Sequence, residues 1–166
     1  MPIGLLKNML DCVPENARFL GLDIGTKTIG LSVGDITQGV ATPLRTIRRT
    51  KFTADLKELG KVSREFMVNG YVLGWPLNMD GTLSGSCDRV RSFADEMAKY
   101  PQELGMESGT DLWIALFDER LSTSAVHDFL VKDVDMSRTK RDQVVDKLAA
   151  QLILQGALDY MRLSQS

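Results

Sequence analysis

The most informative segment of the chain reads Phe19-Leu-Gly-Leu-Asp-Ile-Gly-Thr-Lys-Thr-Ile-Gly-Leu-Ser-Val33. Two apolar runs flank a turn of Gly25 to Thr28, which predicts two strands joined by a short connection. One carboxylate, Asp23, interrupts the first run, and a charge inside a buried strand needs a partner. A divalent cation is one such partner, because hard cations bind carboxylate oxygens. With the hydroxyls and the Lys27 amine of the adjoining turn, the segment is typical of a site that handles phosphate.

Composition is that of an ordinary globular protein. The chain has 166 residues, 43% hydrophobic and 25% charged, with a formal net charge of −2. This charge weighs against a protein held on nucleic acid by bulk charge alone. Cys12 and Cys87 form no Cys-x-x-Cys pair, so we expect free thiols. Neither a signal peptide nor an apolar stretch of about 20 residues is present, so we expect a cytoplasmic protein with no membrane partner.

Hydrophobic patterning predicts the element order βββαβαβαα. The predicted strands cover 19–24, 29–33, 39–47, 71–75 and 111–117, and the predicted helices cover 53–68, 86–100, a segment from 122 or 123 to about 130, and 142–162. Pro43 places the third strand at an edge. A meander followed by crossover helices predicts a five-stranded mixed sheet between two helical layers, an α/β/α arrangement. We expect residues 1–17 to be an N-terminal extension, with a short helix, and residues 18–162 to be a single domain.

Three acids adjoin surfaces that the pattern predicts to be buried. Asp23 ends one apolar strand, Glu119 follows another, and Asp146 precedes the apolar Leu148-Ala-Ala-Gln-Leu-Ile-Leu154 of the last helix. Carboxylates that converge repel one another unless a cation is present, so convergence implies Mg²⁺ or Mn²⁺. One or two such ions can activate water and stabilise the leaving oxygen of a phosphodiester. The alternative for each acid is a turn, helix-terminal or ion-pairing role.

Four motifs in order resemble one known family. They are Gly21-Leu-Asp-Ile-Gly-Thr-Lys-Thr-Ile-Gly-Leu-Ser-Val33, Gly74-Trp-Pro-Leu-Asn-Met-Asp-Gly-Thr82, Asp118-Glu-Arg-Leu-Ser-Thr123 and Asp146-Lys-Leu-Ala-Ala-Gln-Leu-Ile-Leu154. Together they resemble the YqgF/RuvX family, described as pre-16S ribosomal RNA nucleases or Holliday-junction-resolvase-like proteins. The resemblance extends from about Phe19 to about Tyr160.

The resemblance implies a ribonuclease-H-like fold and a metal-dependent nuclease that uses Mg²⁺ or Mn²⁺. It implies that Asp23, Glu119 and Asp146 are both the catalytic residues and the metal ligands. It also implies that the substrate is nucleic acid, with structured RNA favoured over junction DNA, and that the reaction is 5′-end processing of pre-16S ribosomal RNA.

Basic and polar residues near these motifs are candidates for contacts with nucleic acid. Lys27 and Arg120 adjoin the first two acids, and Arg138 and Arg141 lead into the helix of the third. Asn78 lies in the long loop after the fourth predicted strand. Phosphate contacts of this kind position a strand without reading its sequence. The alternative is that these are solvated charges, and that the loop is a contact between two copies of the chain.

Other functions stay open on sequence grounds. A four-way DNA junction resolvase would act as a homodimer with two sites, whereas a monomer would disfavour it. A non-catalytic nucleic-acid-binding module in ribosome assembly or transcription would keep the fold without binding a metal. The Asp-x-Gly-Thr motif also resembles the phosphate loop of actin-like ATPases, but the chain has no second copy. The one histidine, His127, gives little support for a Ser-His-Asp hydrolase.

Overall fold

The computed structural model describes residues 3–78, 80–121 and 138–164, without the side chains of 121 and 138–146. Its strands are β1 (Ile3–Leu5), β2 (Arg18–Ile24), β3 (Thr28–Asp35), β4 (Ala41–Arg48), β5 (Gly70–Trp75) and β6 (Ile114–Asp118). Its α-helices are α1 (Phe52–Glu65), α2 (Gly85–Ala98) and α3 (Arg138–Ser164). The helix predicted from residue 122 or 123, and His127 within it, lie outside the described residues.

Within the described residues the strands form one mixed sheet in the order β1-β6-β5-β2-β3-β4. β2, β3 and β4 form an antiparallel meander, whereas β2, β5, β6 and β1 are parallel neighbours. The predicted meander with crossover helices is therefore confirmed, and Pro43 lies on the edge strand β4, where its missing N–H is tolerated. The sheet has six strands where the sequence predicted five.

The additional strand comes from the N-terminal segment. Ile3 to Leu5 pairs in parallel with Ile114 to Leu116 at the far edge of the sheet. Two short 3₁₀ turns follow it, in place of the predicted helix. Met9 fastens this segment, since its carbonyl oxygen accepts a hydrogen bond from the Trp113 indole at 3.1 Å. A three-residue strand carries too short a pattern for sequence periodicity to reveal it.

Each face of the sheet buries a separate apolar core. Alternate residues of β2 divide between the faces, because successive side chains of a strand point to opposite sides. Leu20 and Leu22 face α1 and α2, whose contributions include Leu56, Leu59, Val90, Phe93 and Met97. Phe19 faces α3, whose contributions include Ile153, Leu154, Ala157, Leu158 and Met161. The predicted three-layer arrangement is thus confirmed.

Helix α3 packs very closely on the centre of the sheet. A side chain at Gly21 would place its Cβ 2.8 Å from Leu154 Cβ, so only glycine allows this approach. The buried Ser32 hydroxyl donates to the carbonyl oxygen of Ala150 at 2.8 Å. This contact joins β3 to α3 and fixes where the helix crosses the strands.

Candidate active site

The carboxyl ends of three parallel strands meet at one edge of the sheet. Leu22 of β2 lies beside Leu73 of β5, which lies beside Leu116 of β6. The next residue of β2 is Asp23, and the next residue of β5 is Gly74. Asp23 belongs to the same alternate set as Gly21, so its side chain faces α3. The sheet therefore presents a half-buried carboxylate at this edge, on the α3 face.

Glu119 reaches the same place from the neighbouring strand. It follows β6 in a short 3₁₀ turn, and its carboxylate fills the space that a side chain at Gly74 would occupy. Ile153 of α3 closes the other side, with its Cδ1 only 2.6 Å from the position of such a Cβ. Adjacent strands lie about 4.8 Å apart. The structure thus brings the Glu119 carboxylate over β5, next to Asp23 on β2.

The surroundings of Glu119 disfavour its charged form. Burial raises the pKa of its carboxyl group, and the neighbouring Asp118 raises it further. Arg89 acts in the opposite direction by attraction. A carboxylate that is costly to ionise beside a second carboxylate is the setting in which a bound cation is stabilising. The donor chemistry of Asp23 and Glu119 therefore fits Mg²⁺ or Mn²⁺.

The third predicted acid lies on α3, one helical turn before Ala150. Helix α3 runs antiparallel to β2, because Leu158 lies near Gly34, beside the start of β2, and Leu154 lies near Gly21. Earlier residues of α3 therefore lie progressively nearer the carboxyl end of β2, and the backbone of residue 146 lies toward that end. The side chain of Asp146 is outside the described atoms. Among the described side chains no group of three potential ligands is found, so the contribution of Asp146 stays a prediction.

Arg49 holds the turn that follows Asp23. Its guanidinium donates to the carbonyl oxygen of Gly25 at 2.8 Å. Its backbone N–H donates to the carbonyl oxygen of Lys27, also at 2.8 Å. The same side chain approaches Asp55 Oδ2 at 3.8 Å and lies 5.4 Å from the centroid of the Phe93 ring. Asp55 is itself 2% exposed and accepts the Thr50 N–H at 3.0 Å. The turn is thus fastened to α1 and α2.

The structure places the predicted nucleic-acid contacts in different situations. Lys27 is exposed in the turn next to Asp23. Arg120 forms a two-pronged ion pair with Asp118, with its Nη2 2.7 Å from Oδ2 and its Nε 3.0 Å from Oδ1. This pairing lowers the pKa of Asp118. Arg138 and Arg141 belong to the first turns of α3, and their side chains lie outside the described atoms.

Asn78 has an internal role in its loop. Its side-chain amide donates to Thr82 Oγ1 at 2.9 Å, and its backbone N–H donates to the Thr82 carbonyl oxygen at 2.9 Å. Asp80 accepts hydrogen bonds from the Thr82 hydroxyl at 2.6 Å and from the Thr82 N–H at 3.0 Å, and these bonds lower the pKa of the Asp80 carboxyl. Gly81 lies against Arg120, since a Cβ there would be 3.4 Å from Nη1. The described residues of this loop are therefore joined by several hydrogen bonds and lie beside the Asp118–Arg120 pair.

One residue near the site gave no signal in the sequence. Arg89 of α2 attracts Glu119 electrostatically, and its Nε is buried without a hydrogen-bond partner in the described part of the chain. An arginine in an amphipathic helix is ordinarily a solvated residue, so periodicity alone does not single it out. In the structure it differs from Arg91, two residues later, which is exposed and pairs with Asp95.

A family model described as "RuvX: Holliday junction resolvase" matches residues 17–160. The chain belongs to the RuvX family. A protein of Rhodospirillum centenum named "Putative pre-16S rRNA nuclease" is 49% identical over 98% of this chain and 84% of its own length. A protein of the same name from Phenylobacterium zucineum is 48% identical over 90% of each chain.

Solved structures show the fold of this RuvX chain independently. RuvC of T. thermophilus, in complex with a Holliday junction substrate, aligns with a TM-score of 0.54 and 13% identity. That alignment covers 90% of this chain and 98% of RuvC. The yeast mitochondrial Holliday junction resolvase aligns over 96% of this chain and 86% of its own, with a TM-score of 0.50 and 11% identity. The fold is ribonuclease-H-like, as the sequence resemblance implied.

Proposed function

We propose that this chain is a divalent-metal-dependent nuclease that hydrolyses phosphodiester bonds in the 5′-end processing of pre-16S ribosomal RNA. The observation that carries the chemistry is the seating of the Glu119 carboxylate over Gly74, beside Asp23 at the carboxyl edge of the sheet. The substrate is proposed from the names of the relatives, which are 41–49% identical over nearly the whole chain. We infer that the protein carries out this reaction in the cytoplasm.

In this proposal Asp23, Glu119 and Asp146 hold Mg²⁺ or Mn²⁺. The bound ion supplies a water of lowered pKa and neutralises charge on the phosphate. The protein's own contribution is to fix the acids: Gly74 leaves room for Glu119, and Arg49 holds the turn after Asp23. Lys27, Arg120, Arg138 and Arg141 contact backbone phosphates, and Asn78 keeps its loop in shape beside the substrate.

The test is cleavage of a pre-16S transcript by wild-type protein and by Asp23→Asn in Mg²⁺. The substitution removes a charge but keeps the shape, so we expect the fold to persist and cleavage to fall at least about 10²-fold. Asp35→Asn provides the control, since Asp35 ends β3 near the opposite edge of the sheet. Cleavage by Asp23→Asn at the wild-type rate would refute the assignment of this site.

The second candidate function is resolution of four-way DNA junctions. The description of the matching family favours it. Paired nicks require two sites, so this function needs a homodimer, whereas RNA processing is compatible with a monomer or a homodimer. Cleavage of junction DNA and pre-16S RNA in parallel, with the mass in solution measured by light scattering, separates the two.

The third candidate is a binding module without catalysis. The chain has only a small net charge, whereas binding without catalysis usually depends on more positive charge. The nuclease and the binding module make opposite predictions for calorimetry with Mn²⁺. A heat of binding that Asp23→Asn abolishes supports the nuclease, whereas the absence of any heat with the wild-type protein supports the binding module.

Among the described helices, none combines the length and apolar character that crossing a membrane requires.

A further inference from the structure

Arg89 lies at the start of α2, and the structure anchors that start to the site. The hydroxyl of Ser84 and the thiol of Cys87 both donate to the carbonyl oxygen of Pro76, the thiol at 3.6 Å. Pro76 directly follows Trp75, the residue of β5 that pairs with Asp118. The second turn of α2 is therefore held close to the strand ends where Glu119 begins its turn.

The guanidinium of Arg89 is incompletely satisfied. Its Nε is buried, with no hydrogen-bond partner in the described ranges. Buried donors in native proteins nearly always have a partner, and an unmade bond costs about 1–3 kcal/mol, more for a charged group. By contrast, the guanidinium of Arg49 donates to Gly25 and that of Arg120 pairs with Asp118. Arg89 thus carries a positive charge near the acids of the site, with an Nε that no described protein group satisfies.

An anion is the partner that a guanidinium in this position suits. A guanidinium is planar, permanently charged and matched to phosphate oxygens. The side chain also attracts Glu119 electrostatically. Glu119 is a ligand in the proposed metal site, and a phosphate bound at that site would lie close to both residues. Because Nε itself is closed off from solvent, a phosphate held there would meet the terminal nitrogens of the guanidinium and would receive positive charge from a second direction.

We propose that Arg89 is a substrate-contacting residue of this site, whose guanidinium donates a hydrogen bond to a non-bridging oxygen of the scissile phosphate. The proposal rests on the nuclease function proposed above. As water attacks phosphorus and one P–O ester bond breaks, negative charge builds up on the non-bridging oxygens, and the departing oxygen takes up a proton. A fixed guanidinium stabilises that charge more strongly in the transition state than in the bound substrate.

The first test compares Arg89→Met with Arg91→Met in single-turnover cleavage of the pre-16S transcript and in urea unfolding. Arg91 lies on the same helix, but it is exposed and pairs with Asp95 at 3.2 Å. We expect Arg89→Met to lower the cleavage rate about 10²–10³-fold, the usual cost of losing one such donor. We expect Arg91→Met to change the rate less than about threefold.

Stability provides the readout that distinguishes substrate contact from a structural role. Replacing a group with an unsatisfied buried donor by an apolar side chain of similar length is neutral or stabilising. Arg89→Met should therefore keep or raise the free energy of unfolding while it lowers cleavage. A clear loss of stability in Arg89→Met would overturn the proposal, because it would show that the arginine supports the fold.

The second test identifies the atom. A phosphorothioate at the cut replaces one non-bridging oxygen by sulfur, a poorer hydrogen-bond acceptor, and gives two diastereomers. One diastereomer should slow the wild-type protein more than it slows Arg89→Met, because only the wild type has the contact to lose. Equal slowing of both proteins by each diastereomer would overturn the proposal while leaving the nuclease function intact. Absence of any wild-type cleavage, by contrast, would count against the nuclease function itself.

Discussion

At position 74 the chain has no side chain, and the Glu119 carboxylate occupies the space that results. The sequence indicated that Gly74 belongs to a motif and that Glu119 is a candidate ligand. It did not indicate that the one makes room for the other, because this relation depends on how β5 and β6 pair. Whether two residues far apart in the sequence fit against each other in this way can be seen only in the folded chain.

Gly74→Ala tests this fit. The added Cβ would collide with the Glu119 carboxylate and would lie 2.6 Å from Ile153 Cδ1, so the acid must shift. A displacement of about 1 Å at a reacting centre can cost about 10²-fold in rate, and we expect a loss of that size in cleavage. Gly85→Ala is the matched control, since a Cβ there meets nothing within 4 Å. Equal cleavage by both variants would contradict the placement of Glu119.

At the scale of elements, the turn between β2 and β3 depends on one arginine from the end of the meander. Arg45 and Arg49 both lie near the end of the third predicted strand, and the sequence alone gives no reason to separate them. In the structure Arg45 forms an exposed pair with Glu65, whereas Arg49 joins the turn, Asp55 and Phe93. Their difference arises from the packing of α1 and α2 against the sheet, which periodicity does not encode.

We expect Arg49→Met to destabilise the fold by about 1–3 kcal/mol, because Asp55 stays buried without its cation. Adding Asp55→Asn should restore part of the free energy of unfolding. It should not restore cleavage, because the hydrogen bond to Gly25 is still missing and the turn after Asp23 is loose. Arg45→Met should change stability by less than about 0.5 kcal/mol, as exposed pairs do. Urea unfolding and transcript cleavage measure both effects, and wild-type cleavage by the double variant would refute this role of Arg49.

The junction of β5 and α1 contains a buried hydroxyl pair. Tyr71 and Ser63 share a hydrogen bond of 2.8 Å, and burial raises the pKa of Tyr71 from 10.0 to about 12. The folded state therefore favours the neutral phenol. Its contribution to stability is complete below pH 10 and is lost as the pH rises from 10 towards 12.

Tyr71→Phe should remove that alkaline loss. At neutral pH we expect the variant to be less stable by about 1 kcal/mol, since Ser63 loses its partner. Above pH 10 the free energy of unfolding should fall less steeply than in the wild type. Urea unfolding at a series of pH values from 8 to 11 gives the slope of the free energy of unfolding against pH for each protein. Equal slopes above pH 10 would show that the titration of Tyr71 is not linked to folding.

For the whole molecule, the sequence predicted the three layers, the mixed sheet and the edge position of β4, because long apolar runs and Pro43 carry those signals. It missed β1, whose three residues are ordered by pairing with β6 and by the Met9–Trp113 hydrogen bond. It selected the three candidate acids of the proposed site from their setting beside apolar runs, and their joint role stays a prediction. It missed Arg89, because the burial of a single nitrogen depends on the assembled layers.

The central claim is that Asp23, Glu119 and Asp146 hold a common divalent cation. Anomalous diffraction from crystals of the wild-type protein soaked in Mn²⁺ tests this claim most directly. The account predicts an anomalous peak at the carboxyl edge of the sheet, bound by oxygens of all three carboxylates and absent from Asp23→Asn crystals. A fully soaked crystal with no peak there, or a peak that one of the three acids does not contact, would contradict it.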